Sequence, residues 1–233
     1  MFHKVNCLIC GAELKYEHKP ARMQCYLCQE EYESDVKCLS GHFICDKCHR
    51  LPANELISRF CIDSQLQDPV ELAISLMKHQ KVAMHGPEHH FLVPAVLLSA
   101  YYNLQNNPVA KVEKINIAQK RAANILGGFC GYYGTCGAAV GTGIFVSLIT
   151  EATPLTKRQW QLSNLMTAKS LFSLANIGGP RCCKRTSLLS LIEASNFLRE
   201  HLGVILPVSS DIKCEFSSLN KECIAGDCPF FSL

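Results

Sequence analysis

The chain has 233 residues, of which 48% are hydrophobic, and its formal net charge is +3. This length and composition can bury a sizeable core and indicate a globular protein. The positive charge is small and scattered over short Lys/Arg groups, so neither nucleic acid nor a membrane is expected as the principal partner.

The sequence contains 15 cysteines, and the early ones come as Cys-x-x-Cys pairs with no apolar leader after Met1. Such pairs are typical of metal sites in the reduced cytosol, whereas a secreted protein would use its cysteines for disulfides. We therefore expect a cytoplasmic protein.

Residues 1–52 are polar and cysteine-rich, and they are predicted to form a zinc-binding module of the ribbon or knuckle type. Four soft or borderline ligands fill the tetrahedral shell of zinc and leave no open position, as in structural sites. Two Cys-x-x-Cys pairs and a Cys-x3-His-x2-Cys-x2-Cys run provide the predicted ligands Cys7, Cys10, Cys25, Cys28, Cys38, His42, Cys45 and Cys48.

The spacing leaves the pairing of these eight ligands open. Sequential pairing would place the first four on one ion and the last four on the other, whereas an interleaved cross-brace would exchange partners between the sites. Segment 38–49 also looks like the middle of a RING finger. That resemblance is short and implies the shape of a metal knuckle, not ubiquitin transfer.

Residues 53–233 are predicted to form an all-α helical domain, because helical apolar periodicity dominates from about Asn54 onward. Asp68-Pro69, Thr153-Pro154 and Gly179-Pro180 are interpreted as helix starts, and Gly178 as a helix stop. The uncharged stretch 122–150 is long enough to span a membrane, but its glycines, cysteines and tyrosines favour a buried segment. The predicted helices are 69–80, 87–104, 114–125, 138–150, 154–176 and 181–202.

Residues 85–90 read His-Gly-Pro-Glu-His-His between two predicted helices. Burying three imidazoles and a carboxylate is costly unless they have a task, so His85, Glu88, His89 and His90 are predicted to bind a ligand or to move protons. The alternative is a solvated or capping loop in which the helix dipole stabilises Glu88.

Residues 127–143 combine many glycines with Cys130 and Cys136. Glycine lets the backbone approach a ligand closely, so both cysteines are predicted to bind a cofactor. The alternative is tight helix packing through Gly137-x3-Gly141, with the cysteines acting as small core residues.

Residues 178–185 place Cys182 and Cys183 at a predicted helix start, next to Arg181, Lys184 and Arg185. Unpaired N–H groups and three cations favour thiolate over thiol, which predicts a metal ligand or a nucleophile. The cations could also hold a carboxylate or phosphate, and an inert buried pair is the alternative.

The residues from 207 onward are predicted to form a loop that carries Cys214, Cys223 and Cys228. These three could complete a site begun by either of the earlier cysteine pairs, or they could bind a separate zinc. Because iron–sulfur clusters draw thiolates from distant segments, the wide spacing is compatible with such a cluster.

The Cys-x-x-Cys knuckles, residues 85–90, 130–143 and 178–185, and Thr153-Pro-Leu155, taken together, resemble a family catalogued as a domain of unknown function in anaerobic bacteria and archaea. Its members occur alone or beside methyltransferase-type domains, which implies a role in methyl transfer or cofactor metabolism. More distantly, residues 136–143 and the glycine-then-cysteine helix start are similar to iron–sulfur serine dehydratases and cysteine desulfidases. Those are helical lyases that use a four-iron cluster with an open iron.

Two functions follow. The first is an enzyme in which an iron–sulfur or zinc centre acts as a Lewis acid on a small polar substrate, as a lyase does, beside structural zinc. The second is an accessory zinc protein that serves a methyltransferase or redox partner. For the enzyme, the predicted catalytic residues are His85, Glu88, His89, His90, Arg181, Cys182, Cys183, Lys184 and Arg185, and the predicted cofactor ligands are Cys130, Cys136, Cys182, Cys183, Cys214, Cys223 and Cys228.

Overall fold

A computed structural model describes residue 7 and residues 9–10, 12–45 and 53–232. Within these residues the chain is mainly helical, with a small sheet near its beginning, which confirms the predicted fold class. The predicted boundary near residue 52 lies outside the described residues and stays a prediction.

The sheet is an antiparallel hairpin of β1 (Leu14–Gln24) and β2 (Glu31–Cys38). Leu14 lies opposite Cys38 at its open end, and Gln24 lies opposite Glu31 at its turn. The eight residues of β2 span roughly 23 Å at about 3.3 Å per residue. Ligands placed at the two ends of the hairpin are therefore too far apart to share one ion.

The described helices are α1 (Ala53–Asp63), α2 (Pro69–Met77), α3 (Glu88–Leu104), α4 (Pro108–Ala122), α5 (Phe129–Tyr132), α6 (Gly137–Ile149), α7 (Arg158–Ile177) and α8 (Cys183–Leu202), followed by two 3-10 turns at Ser217–Leu219 and Ala225–Asp227. Helix α3 is the centre of the helical part. It is buried along almost its whole length, and α1, α2, α4, α6 and α8 all pack against it.

Two of the predicted helix ends are confirmed. Asp68 caps α2, accepting hydrogen bonds from the N–H groups of Val70 and Glu71, and Pro69 is the first helical residue. Gly178 ends α7 with a positive φ of 82°.

Other predicted boundaries are wrong for local reasons. Helix α7 begins at Arg158, because Thr153 and Thr156 close a turn on each other after the predicted start. Helix α8 begins at Cys183, because Cys182 is extended and serves as the N-cap. Helix α4 begins six residues before its predicted start, at Pro108. The helices α1 and α5 were not predicted.

The uncharged stretch 122–150 contains the end of α4, all of α5 and α6, and the turns between them. None of the described helices has the length and apolarity that crossing a membrane requires.

Among the described residues, polar contacts join the cysteine-rich module to the helical part in three places. The Tyr26 hydroxyl lies 3.4 Å from Ser75 Oγ. Gln80 Nε2 donates to the Cys7 carbonyl at 3.1 Å, and Arg59 lies 3.8 Å from the Glu30 carboxylate. These contacts place the module against α1 and the end of α2.

Candidate metal centres and thiol cavity

The first group of metal ligands joins Cys7, Cys10, Cys38 and His42, whose ligand atoms all lie within 4.8 Å of one another. The sulfurs of Cys10 and Cys38 are 3.8 Å apart, and His42 Nδ1 is 3.5 Å from Cys38 Sγ. Two turns orient the sulfurs, because Cys7 accepts the N–H of Ile9 and Cys38 accepts that of His42.

The second group joins Cys25, Cys28 and Cys45. The sulfurs of Cys28 and Cys45 are 3.8 Å apart, and the N–H of Cys45 donates to Cys25 Sγ. All three residues are buried. The predicted ligand Cys48 lies outside the described residues.

The sulfur separations match a tetrahedral ion. Metal–sulfur bonds of about 2.3 Å at tetrahedral angles put neighbouring sulfurs about 3.8 Å apart, as observed for both pairs. A disulfide would need a separation of about 2 Å. Each group could therefore hold a metal ion.

The pairing is interleaved, because each group takes its ligands from separated parts of the chain. The hairpin explains this. Cys38 ends β2 beside the start of β1, close to Cys7 and Cys10, whereas Cys25 and Cys28 lie at the turn end. Of the two predicted pairings, the described residues form the cross-brace.

In the helical part, three segments meet around one cavity of about 540 Å³, called here the thiol cavity. They are the start of α3, the segment from α5 to the start of α6, and the loop from Gly178 to the start of α8. One face of α7, formed by Leu171, Leu174 and Ala175, completes the wall. The sequence motifs did not indicate these residues, although their helical spacing could have predicted that they share one face. The predicted residues on the wall are His89, His90, Cys130, Cys136, Arg181, Cys182, Cys183 and Arg185.

His89 is 1% exposed and lines the thiol cavity. Its Nδ1 donates to the Gly86 carbonyl at 3.2 Å, whereas Nε2 is buried with no hydrogen-bond partner among the described residues. Burial, assisted by the charge of Lys184, lowers the pKa of His89 to about 3. The ring is therefore neutral at physiological pH and presents an unpaired Nε2 acceptor, which is rare in a native interior.

His90 is held in a fixed orientation. Its Nδ1 donates to the Ile125 carbonyl at 3.0 Å, and its ring lies against Gly137, where a Cβ would overlap it. A backbone carbonyl on one ring nitrogen is the usual support of a histidine whose other nitrogen binds a metal or a proton.

The predicted lowering of the thiol pKa at the start of α8 is wrong. Burial raises the pKa of Cys183 to about 11; the N–H of Gly86 opposes this shift, and charges on Cys136 and Cys130 add to it. Burial likewise raises the pKa of Cys182. Without a cation both are thiols at neutral pH, whereas a bound metal ion would deprotonate them.

The three predicted cations have different surroundings. Lys184 is 2% exposed and donates to the carbonyls of Met77 and Val82, each at 3.0 Å. Arg185 donates to the carbonyls of Gly178 and Pro180 at 2.9 and 2.7 Å. Lys184 and Arg185 thus secure loops, whereas Arg181 is exposed at the wall of the thiol cavity.

His85 and Glu88 do not line the thiol cavity. His85 Nε2 lies 3.0 Å from Asn220 Oδ1 and 3.2 Å from the Glu222 carboxylate, so it faces the C-terminal residues. The Glu88 carboxylate accepts the N–H of Ala83 at 2.7 Å and closes the turn before α3. Both contacts fit the capping-loop alternative for this part of the motif.

The cysteines of the helical part stand farther apart than those of the metal module. Among the described residues, three or more ligand atoms within 4.8 Å of one another occur only in the two early groups. A wider spacing is compatible with an iron–sulfur cluster, because each thiolate of a cluster can bind a different iron. Cys214, Cys223 and Cys228 do not line the thiol cavity but a smaller one behind it, which Cys182 also borders.

The family of unknown function DUF5714 matches residues 57–231, which is most of the chain. The chain belongs to DUF5714. The part that matches DUF5714 runs from within α1 to near the end of the chain, so it includes every residue that lines the thiol cavity, and both early metal groups precede it. No curated protein and no solved structure matches the chain.

Proposed function

We propose that this DUF5714 protein is a metalloenzyme of lyase type, in which the early cross-brace is a structural zinc module and the thiol cavity holds a second, thiolate-bound centre. The observation that carries the proposal is the meeting of Cys130, Cys136 and Cys183 with His89 and His90 around one cavity. Metal-binding side chains from three segments rarely converge on a cavity without a ligand.

The donor set fits a thiophilic metal centre. Cys130, Cys136 and Cys183 would supply thiolates. The centre or the substrate would bind to Nε2 of His89, which has no hydrogen-bond partner among the described residues. Three protein thiolates would leave a position for substrate, where the centre would supply Lewis-acid polarisation. The distant similarity to iron–sulfur serine dehydratases and cysteine desulfidases supports an iron–sulfur centre over zinc.

The remaining residues would position a small anionic substrate. Arg181, exposed at the cavity wall, would bind its carboxylate. His90, whose Nδ1 is tied to the Ile125 carbonyl, would accept a proton at Nε2. The apolar side chains of α7 would exclude water from the reacting atoms.

The test is anaerobic purification followed by metal analysis and an absorption spectrum. We expect a brown protein that loses iron in air, and we expect Cys183→Ala and Cys136→Ala to lose that iron but to keep the zinc of the cross-brace. Cys61→Ala is the matched control, since Cys61 is a core cysteine outside every group. Pyruvate release from L-serine or L-cysteine, abolished in Cys183→Ala, would identify the reaction.

An accessory role is the second candidate, because aromatic side chains next to the thiol cavity are exposed. Tyr132, Tyr133 and Phe172 are 89%, 72% and 69% accessible, as is common where proteins dock. A colourless protein whose metal content is unchanged in Cys183→Ala would contradict the enzyme and favour docking to a methyltransferase or redox partner.

A further inference from the structure

We infer that Cys182, Cys214, Cys223 and Cys228 form a separate, closed four-cysteine metal centre that fastens the C-terminal tail (residues 204–232) to the start of α8. All four line a cavity of about 20 Å³ between the tail and α8. A space of this size admits about one small particle such as a water or an ion. The inference does not depend on the proposed chemistry of the thiol cavity.

Backbone N–H groups point at three of the four sulfurs. Cys214 Sγ accepts from Phe216 and Cys223 Sγ accepts from Ala225, both at 3.4 Å. Cys7 Sγ in the cross-brace accepts from the residue two positions later at the same distance. Cys182 Sγ accepts the N–H of Arg185, also at 3.4 Å. Such hydrogen bonds stabilise thiolate, which is the form that binds a metal.

The four cysteines on this cavity come from two parts of the chain, three from the tail and Cys182 from the N-cap of α8. Their sulfurs stand wider than those of the cross-brace. A single ion would therefore draw them together slightly, and a cavity that admits about one ion fits zinc rather than the larger iron–sulfur cluster.

Buried cations balance the charge that such a centre would carry. Four thiolates around a divalent ion leave a net negative charge, which is costly to bury unless it is paired. Arg185 is 4% exposed and lines the same cavity. Lys184 is 2% exposed, and its Nζ lies 5.0 Å from the centre of the Phe216 ring, which lines the same cavity.

The tail is held by scattered side-chain contacts rather than by regular secondary structure. Its regular structure is limited to two short 3-10 turns. Phe216 and Phe230 are buried anchors, and the N–H of Cys214 donates to the Phe230 carbonyl at 2.7 Å. A metal that joins three tail cysteines to α8 would supply the cross-link that such an irregular segment needs.

The test compares zinc, iron and acid-labile sulfide per chain in full-length variants purified anaerobically. We expect Cys214→Ala/Cys223→Ala to lose one zinc equivalent, which Cys130→Ala/Cys183→Ala and Cys61→Ala keep. Unchanged metal content in the tail variant would overturn the inference. Unchanged content in the cavity variant alone would instead contradict the proposed catalytic centre.

A second measurement on the wild-type protein does not depend on the folding of any variant. Cys214, Cys223 and Cys228 are only half-buried, so free thiols there would react with iodoacetamide. We expect mass spectrometry to find them unlabelled before a chelator is added and labelled afterwards. Labelling in the untreated protein, or a disulfide between two of them, would overturn the centre.

Discussion

His89 and His90 are adjacent in sequence but have different surroundings. His89 is nine-tenths or more buried and neutral, with an unpaired Nε2, whereas His90 is half-buried and oriented by the Ile125 carbonyl. The difference arises because consecutive residues on a helix point about 100° apart. At this scale, burial leaves Nε2 of His89 without a partner among the described residues and keeps its ring neutral by lowering its pKa.

The buried His89 predicts acid sensitivity. Its folded pKa of about 3 is below the unfolded value of about 6.5. The unfolded chain therefore takes up a proton first as the pH falls, and stability decreases from about pH 6.5 downward. At pH 5 the loss is about 2 kcal/mol.

The measurement is chemical denaturation of the wild type and of His89→Gln between pH 7.5 and 5. Glutamine does not titrate, so we expect the stability of His89→Gln to fall less over this range. His201→Gln is the matched control, since His201 is a partly exposed histidine on another helix, α8. Parallel pH profiles for the wild type and His89→Gln would contradict the prediction.

The residue types at the site could be predicted from the sequence, but their environments could not. The three motifs were predicted to converge, and they line one cavity. The thiol pKa was predicted with the wrong sign, because burial outweighs the groups that favour thiolate. Burial raises the pKa of Cys183 despite the N–H of Gly86, and it raises the pKa of Cys182 despite the charge of Arg185.

At the scale of the elements, the glycines of α6 allow it to pack closely against its neighbouring helices. A Cβ on Gly137 would overlap the His90 ring, and one on Gly141 would lie 2.8 Å from Pro94 Cδ. On its other side, a Cβ on Gly143 would overlap the Thr167 hydroxyl. These contacts favour the tight-packing alternative for Gly137-x3-Gly141. Close packing also brings Cys136 beside His90, so packing and site formation depend on the same residues.

Gly137→Ala is expected to destabilise the protein by about 1–3 kcal/mol, because the added methyl group overpacks the contact between α6 and the His90 ring. Gly127→Ala is the matched control, since nothing lies within 4 Å of its Cβ position. Its effect should stay within about 0.5 kcal/mol. Thermal unfolding of both variants measures the difference, and equal melting temperatures would show that the contact is not tight.

Asp68 joins an element to the tail. One carboxylate oxygen caps α2, and the other accepts the N–H and hydroxyl of Ser209 at 2.8 and 2.7 Å. Asp68→Ala should therefore cost about 2–4 kcal/mol, the sum of a lost cap and lost charge-assisted hydrogen bonds.

In Asp68→Ala, the rate of amide hydrogen exchange should rise both at Ser209 and at the start of α2. Asp211→Ala, at an exposed ion pair with Lys213 in the same tail, should leave both regions protected. Faster exchange at α2 with an unchanged tail would mean that the Ser209 contact contributes nothing.

Helix starts could be predicted where a side chain caps the backbone locally, as at Asp68, and not where a tertiary contact decides. Cys182 is an unusual N-cap, whose Sγ accepts the N–H of Arg185 and which lines both the thiol cavity and the smaller cavity beside the tail. Helix α7 begins later than predicted because the Thr156 hydroxyl accepts the N–H of Thr153 in a turn. Apolar periodicity does not reveal such a local hydrogen bond.

At the scale of the whole molecule, the order of metal ligands along the chain differs from their grouping in space. The hairpin separates the ends of β1, so candidate ligands that are distant in sequence lie in one group. The module also joins the main core, in which Cys25 and Cys45 lie in one apolar cluster with Leu56 and Val70. Loss of a metal ion from the module should therefore destabilise the packing of α1 and α2.

Pairs of substitutions distinguish the cross-brace from sequential pairing. Cys10→Ala/Cys38→Ala removes two ligands of one group, so we expect the loss of one zinc per chain. Cys10→Ala/Cys25→Ala damages both groups, so we expect the loss of two. Sequential pairing requires the opposite result, because Cys10 and Cys25 would then share an ion while Cys38 would belong to the other. Cys48→Ala, predicted from its spacing to complete the second group, should match Cys45→Ala in metal content and in melting temperature.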